Sequence, residues 1–258
     1  MMERATDALS LVKKTVTTIG LREPLVEVRH WVTRPDWWVR ERRCVRLFRS
    51  LFSPGELVFD IGAHKGAYSE RLLRLGARVV AVEPQPQCSQ AIRQRFGNDS
   101  RVTVVPQAVG SVEGTVPMRF CHASQVSSCS PEWPQRFAEQ EWDAPVDVPV
   151  TTLDALIEQF GTPAFCKIDA EGYEPEILRG LSKPIRAVSL EFTPPLIDKT
   201  VRCLDRLHEL GYRRINYCHH LSYRYELKQV ITPLQAIDRM RNLAAQHHPG
   251  GDIYAFLD

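Results

Sequence analysis

Leu57-Val58-Phe59-Asp60-Ile61-Gly62-Ala63-His64-Lys65-Gly66 runs from apolar and aromatic residues through an acid into a pair of glycines. The apolar run suits a strand buried on both faces of a parallel sheet, where there is no wet side to demand alternation. Gly62 and Gly66 allow a sharp turn and a close approach of a ligand to the backbone. From Ala67 onward Leu72, Leu73 and Leu75 recur among Glu70, Arg71 and Arg74, the pattern of an amphipathic helix. Strand, glycine turn and helix together form the first unit of a nucleotide-binding α/β fold.

The following unit narrows the ligand. Ala77 to Val82 reads as a second buried strand, and Glu83 closes it 23 residues after Asp60. An acid at a solvent-facing tip of the second strand is placed to accept both hydroxyls of a ribose. The competing reading is that Glu83 only caps the helix that follows Pro84. A dinucleotide turn would carry G-x-G-x-x-G, and that pattern is missing. Asp60 stands where such a turn needs glycine, and its charge would repel a pyrophosphate at the helix N-terminus. The acid suits a ligand bearing an ammonium and a sulfonium, and S-adenosylmethionine (SAM) has both, with a ribose for Glu83.

Asp-Ile-Gly-Ala-His-Lys-Gly at 60–66 followed by Val82-Glu83-Pro84 resembles the SAM turn of class I methyltransferases. Three further stretches, Val105 to Gly110, Thr151-Thr152-Leu153-Asp154 and Lys167-Ile168-Asp169-Ala170-Glu171-Gly172-Tyr173-Glu174, make the resemblance one to the FkbM family, over roughly residues 54–192. That resemblance implies a doubly wound, mostly parallel seven-stranded sheet with a helical N-terminal cap. It implies a cap over residues 1–53 and a SAM-binding domain over 54–258. Cofactor contacts would fall to Asp60, Gly62, Ala63, Gly66, Glu83, Gln107 and Ala108, the last two beside the adenine. Where the family has Asn in a Gly-Ala-Asn turn, this chain has His64, so no role of the Asn side chain carries over.

With 258 residues, 43% hydrophobic and 25% charged, the chain has the size and composition of one α/β domain with an appendage. A net charge of +2 does not suggest nucleic acid as the main partner. The 7 cysteines are odd in number and scattered without a C-x-x-C pair, which suits reduced thiols in a cytoplasm. Cys121, His122 and Cys129 are too few and too oddly spaced for zinc. No apolar run reaches transmembrane length, and Lys13 and Lys14 interrupt the N-terminal apolar segment, so neither a membrane span nor a signal peptide is expected.

In chain order, residues 5–19 show helical spacing and 25–33 a weak alternation. Asp36 opens a helix through Phe52 with Val45, Phe48, Leu51 and Phe52 inward. Arg42, Arg43, Arg46 and Arg49 form its solvated face. Trp31, Trp37 and Trp38 either line an acceptor pocket or belong to a core. Strands are expected at Val102–Val105, Val146–Val150, Ala164–Ile168, Ile185–Glu191, Tyr212–Cys218 and Asp252–Leu257. Helices are expected to Phe96, through Phe160, at Tyr173–Leu181 and at Val201–Leu210. Residues 110–120 have hairpin character around Gly114. The stretch 121–145 reads as a lid or binding loop, and His219 and His220 as another edge of the acceptor site.

Methyl transfer from a sulfonium needs mainly an acceptor held in line, and an alcohol acceptor must also lose a proton. The base should hang from the carboxyl ends of the central strands. Asp169 meets that condition first, Glu171 second, and His64 lies in the cofactor turn; these are the catalytic candidates. Asp169 and Glu191 mark the strand tips that hold magnesium in catechol-type methyltransferases, but Phe192 stands where a second oxygen ligand would follow, so no metal is expected. The reading is a SAM-dependent methyltransferase acting on a hydroxyl of a sugar, glycan or polyketide-like small molecule. The alternatives are a SAM-fold binding protein without turnover, or a nicotinamide-dependent oxidoreductase. Oligomeric state is open.

Overall fold

The computed structural model describes residues 37–121 and 124–257. The expected helix over 5–19, the segment 25–33, Trp31 and His122 lie outside these. By compactness the chain divides into two units, Met1–Cys44 and Val45–Asp258. Of the first unit, the described residues are the opening turns of helix α1 (Trp37–Arg49), where Trp38 is 50% exposed. The second unit carries everything below.

Seven strands make one sheet: β1 (Leu57–Ile61), β2 (Arg78–Val82), β3 (Val102–Val105), β7 (Phe165–Ile168), β8 (Ala187–Phe192), β9 (Arg214–His219) and β10 (Gly251–Phe256). Their order is β3-β2-β1-β7-β8-β10-β9, and β10 alone runs against its neighbours. The mostly parallel, seven-stranded sheet is thus the expected one. The helices that follow α1 are α2 (Ala67–Arg74), α3 (Pro86–Phe96), α4 (Trp133–Arg136), α5 (Leu153–Phe160), α6 (Glu174–Arg179), α7 (Ile197–Glu209) and α8 (Pro233–Ala245). All but α4, a single turn within the loop 121–145, flank the sheet. The central strands are buried along nearly their whole length: Val58, Phe59, Phe165 and Cys166 are each 0% exposed. That is the physical reason their sequences lack alternation.

Two features differ from expectation. Residues 110–120 form no hairpin of their own. Instead β5 (Gly114–Met118) pairs antiparallel with β6 (Val146–Thr151), and β6 pairs parallel with β4 (Ala108–Val109), giving a separate three-stranded sheet. The partner of β5 lies across a long loop, out of range of any local turn signal. The second is α8, unforeseen although Thr232 and Gln235 form a capping box at its start.

The order of strands reverses between β1 and β7, with β2 and β3 on one side and β8 on the other. Open α/β sheets bind ligands outside the carboxyl ends of the strands at such a switch point.

Candidate active site

A cavity of about 350 Å³ opens at that switch point. Gly62, Ala63, His64, Glu83, Gln107 and Ala108 form one part of its wall, and Asp169, Glu171, Glu191 and Asp252 another. Of the expected site residues, Asp60 and Gly66 are not in the wall; they sit behind it.

The turn after β1 has a tight geometry. Gly62 has φ 75°, and a Cβ there would stand 1.8 Å from the Asp169 carbonyl oxygen. The close approach is therefore between two loops of the chain, where the sequence suggested ligand and backbone. Gly66 has φ 79° and would meet the Phe96 ring at 2.8 Å. His64 takes φ 48°, a left-handed backbone in which Asn and His are tolerated better than branched residues.

Glu83 is 3% exposed, in place of the solvent-facing tip expected of it. Its Oε2 accepts the His64 amide at 2.8 Å and its Oε1 the Gln85 amide at 2.8 Å. Glu83 does not cap α3, whose N-cap is Gln85 with no side-chain cap bond; it is a staple between the glycine turn and the segment that leads into α3. The Gln85 side chain also hydrogen-bonds to the Glu83 carboxylate, which lines the cavity. Burial raises its pKa, and the amide bonds from Gln85 and His64 oppose that.

Asp60 is 0% exposed and takes a 2.6 Å hydrogen bond from Ser69 Oγ. Register pairs Asp60 with Lys167 across β1 and β7, and Lys167 Nζ stands 3.9 Å from Asp60 Oδ1. The counter-charge of Asp60 is therefore a lysine of the chain itself. Lys167 also donates to Asp169 Oδ2 at 2.7 Å and lies 4.2 Å from the Tyr68 ring centroid. Burial would pull the Lys167 pKa down, but the Asp169 and Asp60 charges outweigh it and raise it.

Asp169, Glu171 and Glu191 bring a carboxylate oxygen each within 4.8 Å of one another. Glu171 gets there through a left-handed turn, φ 51°, held by Ser128 Oγ donating 2.7 Å to the Glu171 carbonyl. Burial, then the charges of Asp169 and Glu174, push the Glu171 carboxyl up to about 9. Burial, then the charges of Asp169 and Glu171, push Glu191 well above the carboxylate range. Asp252 pairs in register with Glu191 across β8 and β10, and burial raises it to about 6. His64 is held below its usual pKa by burial first and by Lys65 second, so its imidazole is neutral at pH 7.

The loop 121–145 supplies Gln125, Ser127, Ser128 and Cys129 to the wall. Of the histidine pair, His220 lines the cavity. His219 turns away, its Nδ1 2.5 Å from His248 Nε2. The loop 121–145 was expected to be a lid or binding loop, but Asp252 and Tyr68 were not expected in the site. Tyr68 could have been found, since it stands in the first turn of the helix after Gly66. Asp252 becomes visible only once strand register is known.

Residues 60–214 match the family described as the methyltransferase FkbM domain, more than half of the chain. The chain belongs to the FkbM methyltransferase family. Its methyl donor is SAM, and the cavity at the switch point has a buried acid at the tip of β2 on one side and carboxylates on the other. An rRNA methyltransferase of Streptomyces thermotolerans is 36% identical over 73 residues, 25% of this chain and 24% of that protein. The chain therefore matches about a quarter of that relative's length. Similar solved structures include the precorrin-6y C5,15-methyltransferase of Geobacter metallireducens, at 16% identity and TM-score 0.46, covering 84% of this chain and 86% of that one. Another is the magnesium protoporphyrin IX methyltransferase of Synechocystis PCC 6803 with bound SAM, at 13% identity and TM-score 0.45, covering 86% and 79%. Among the described residues no helix is long and apolar enough to cross a membrane.

Proposed function

We propose that this FkbM-family chain transfers a methyl group from SAM to a hydroxyl of a small-molecule or glycan acceptor, such as a sugar or a polyketide-like natural product. The single observation that carries the reading is the shared cavity: the β1 turn and Glu83 on one side, the carboxylates of Asp169, Glu171 and Glu191 on the other. An electrophilic methyl group is what the cofactor supplies. Glu83 holds the ribose hydroxyls while its backbone bonds fix the turn. Gln107 and Ala108 border the adenine, and Gly62 and Ala63 keep the wall thin. Asp60 stays behind the wall, fixing Lys167.

Asp169 is the group proposed to align the acceptor hydroxyl and draw off its proton. Lys167 holds one of its oxygens and leaves the other for the cavity. Glu171, with its raised pKa, is the weaker candidate near pH 7, and the neutral His64 imidazole is a second proton acceptor in the same cavity. A cytoplasmic setting suits the thiols, since all 7 cysteines are free.

The test is incubation with methyl-labelled SAM and fractionated small molecules and glycans of the source cell, read by mass spectrometry. Label on an oxygen of a small molecule or glycan supports the reading. Label on RNA alone, or on nitrogen, overturns the acceptor class. No label in any fraction despite tight SAM binding would favour the binding-protein alternative.

A further inference from the structure

We propose that Asp169, Glu171 and Glu191 hold a hard divalent cation of the Mg²⁺ class at the acceptor end of the cavity, a reading that rests on the methyl-transfer assignment above. Three carboxylates arrive there from three places: the tip of β7, the turn beyond it and the tip of β8. Their oxygens lie within 4.8 Å of one another. Ligands about 2.1 Å from an octahedral Mg²⁺ stand about 3–4.2 Å apart, so small side-chain rotations close the set.

An acidic cluster alone would not carry this, but Glu191 points to a missing partner. Its Oε2 is closed off from solvent and receives no hydrogen bond among the described residues. Neither Glu171 nor Glu191 has a side-chain ion pair among them, because Lys167 reaches Asp169 at 2.7 Å and Asp60 at 3.9 Å. Asp252, opposite Glu191 in register, lines the same cavity and adds a fourth carboxylate beside the group. The donor set is all oxygen, with no histidine or thiol in it, which selects a hard cation over zinc or copper.

The sequence counted two ligands at the strand tips and found the set incomplete. The third comes from the left-handed backbone at Glu171, which no strand-tip count includes. A cation there would hold and polarise the acceptor oxygen. Asp169 would then act on the hydroxyl through the ion it helps to hold.

Mn²⁺ is the probe, titrated into the full chain with free ion read by electron paramagnetic resonance, and SAM binding measured separately by calorimetry. The expected result is one Mn²⁺ per chain, displaced by excess Mg²⁺, with Glu191→Gln and Asp169→Asn each weakening it by about 10-fold or more. Glu158→Gln, exposed on α5 and outside the group, should bind Mn²⁺ as the wild type does. Should Glu191→Gln fail to fold by circular dichroism, Glu171→Gln takes its place with the same expectation. No Mn²⁺ held by the wild type below about 10 mM, or wild-type affinity in both glutamine variants, overturns the site. Asp169→Asn that loses turnover but keeps Mn²⁺ affinity also overturns it, and leaves Asp169 as a direct base. Intact SAM binding alongside any of these keeps the methyltransferase reading separate from the cation's failure.

Discussion

A methyl group added at Gly62 has nowhere to go, because its carbon would stand 1.8 Å from the Asp169 carbonyl oxygen. That obstacle is backbone, which cannot swing aside as a side chain can. Gly62→Ala should therefore destabilise by about 2–4 kcal/mol, the combined cost of overpacking and of a left-handed alanine. Gly211, just after α7, is the internal control: it too has positive φ, 93°, but open space around its Cβ position. Gly211→Ala should cost only the backbone penalty, about 1–2 kcal/mol. Chemical denaturation of the two variants reads the difference, and equal losses would mean the loops at Gly62 are not in contact. The other residue-scale prediction concerns Asp169. Replacing it by Asn keeps the shape and removes the charge, so turnover should fall by about 10²–10⁴-fold. SAM affinity should barely change, since Glu83 carries the ribose. Near-full turnover in Asp169→Asn with loss in His64→Ala would move the base to the imidazole.

At the scale of elements, the loop between β5 and β6 is fastened by one lysine of α7. Lys199 Nζ donates 2.5 Å to Ser130 Oγ, 2.8 Å to Glu132 Oε2 and 2.8 Å to the Gly172 carbonyl. It thereby ties the loop that lines the cavity to the turn that carries Glu171. The Lys199 ammonium lowers the Glu132 carboxyl from 4.5 to about 2. A lowered acid pKa stabilises the fold above the ordinary range, and that stabilisation is lost as pH falls towards the folded value. Glu132→Gln should thus be less stable than wild type at pH 7, and the gap should close between about pH 4.5 and 2. Glu132 is half-exposed, at 52%, so screening keeps the gap under about 1 kcal/mol. A gap that widens on acidification would contradict the pairing. The same scale shows what sequence could and could not reveal. The strands β1, β2, β7 and β8 were legible because burial on both faces writes itself as an unbroken apolar run. Pairing of β5 with β6 was not, since strands joined by so long a loop leave no local mark. The start of α8 was legible in Thr232 and Gln235 but went unread beside the stronger signals.

For the whole molecule, the sheet's reversal of order is what gathers residues from distant parts of the chain into one cavity. Motif reading recovered those that sit in the turns carrying the family resemblance: Gly62, Ala63, His64, Glu83, Gln107, Ala108, Asp169 and Glu171 all line it. It assigned Asp60 to the cofactor; in the structure Asp60 lies outside the wall, and the parallel register of β1 and β7 pairs it with Lys167. It passed over Asp252, whose position depends on an antiparallel edge formed at the end of the chain. Side-chain roles that follow from one turn are readable; those that depend on which strand lies beside which are not.

The central claim is that this cavity binds SAM through Glu83. Calorimetric titration of SAM into wild type and Glu83→Gln tests it most directly. Wild type should take up one SAM per chain. Loss of charge-assisted hydrogen bonds to the ribose should weaken binding in the variant by about 2–4 kcal/mol, roughly 30- to 1000-fold. The side-chain amide introduced there has a single acceptor oxygen and can keep one backbone bond only. A modest loss of stability, about 1–2 kcal/mol, should accompany the substitution. An unchanged dissociation constant in a folded Glu83→Gln, or no SAM binding by the wild type, would contradict the account.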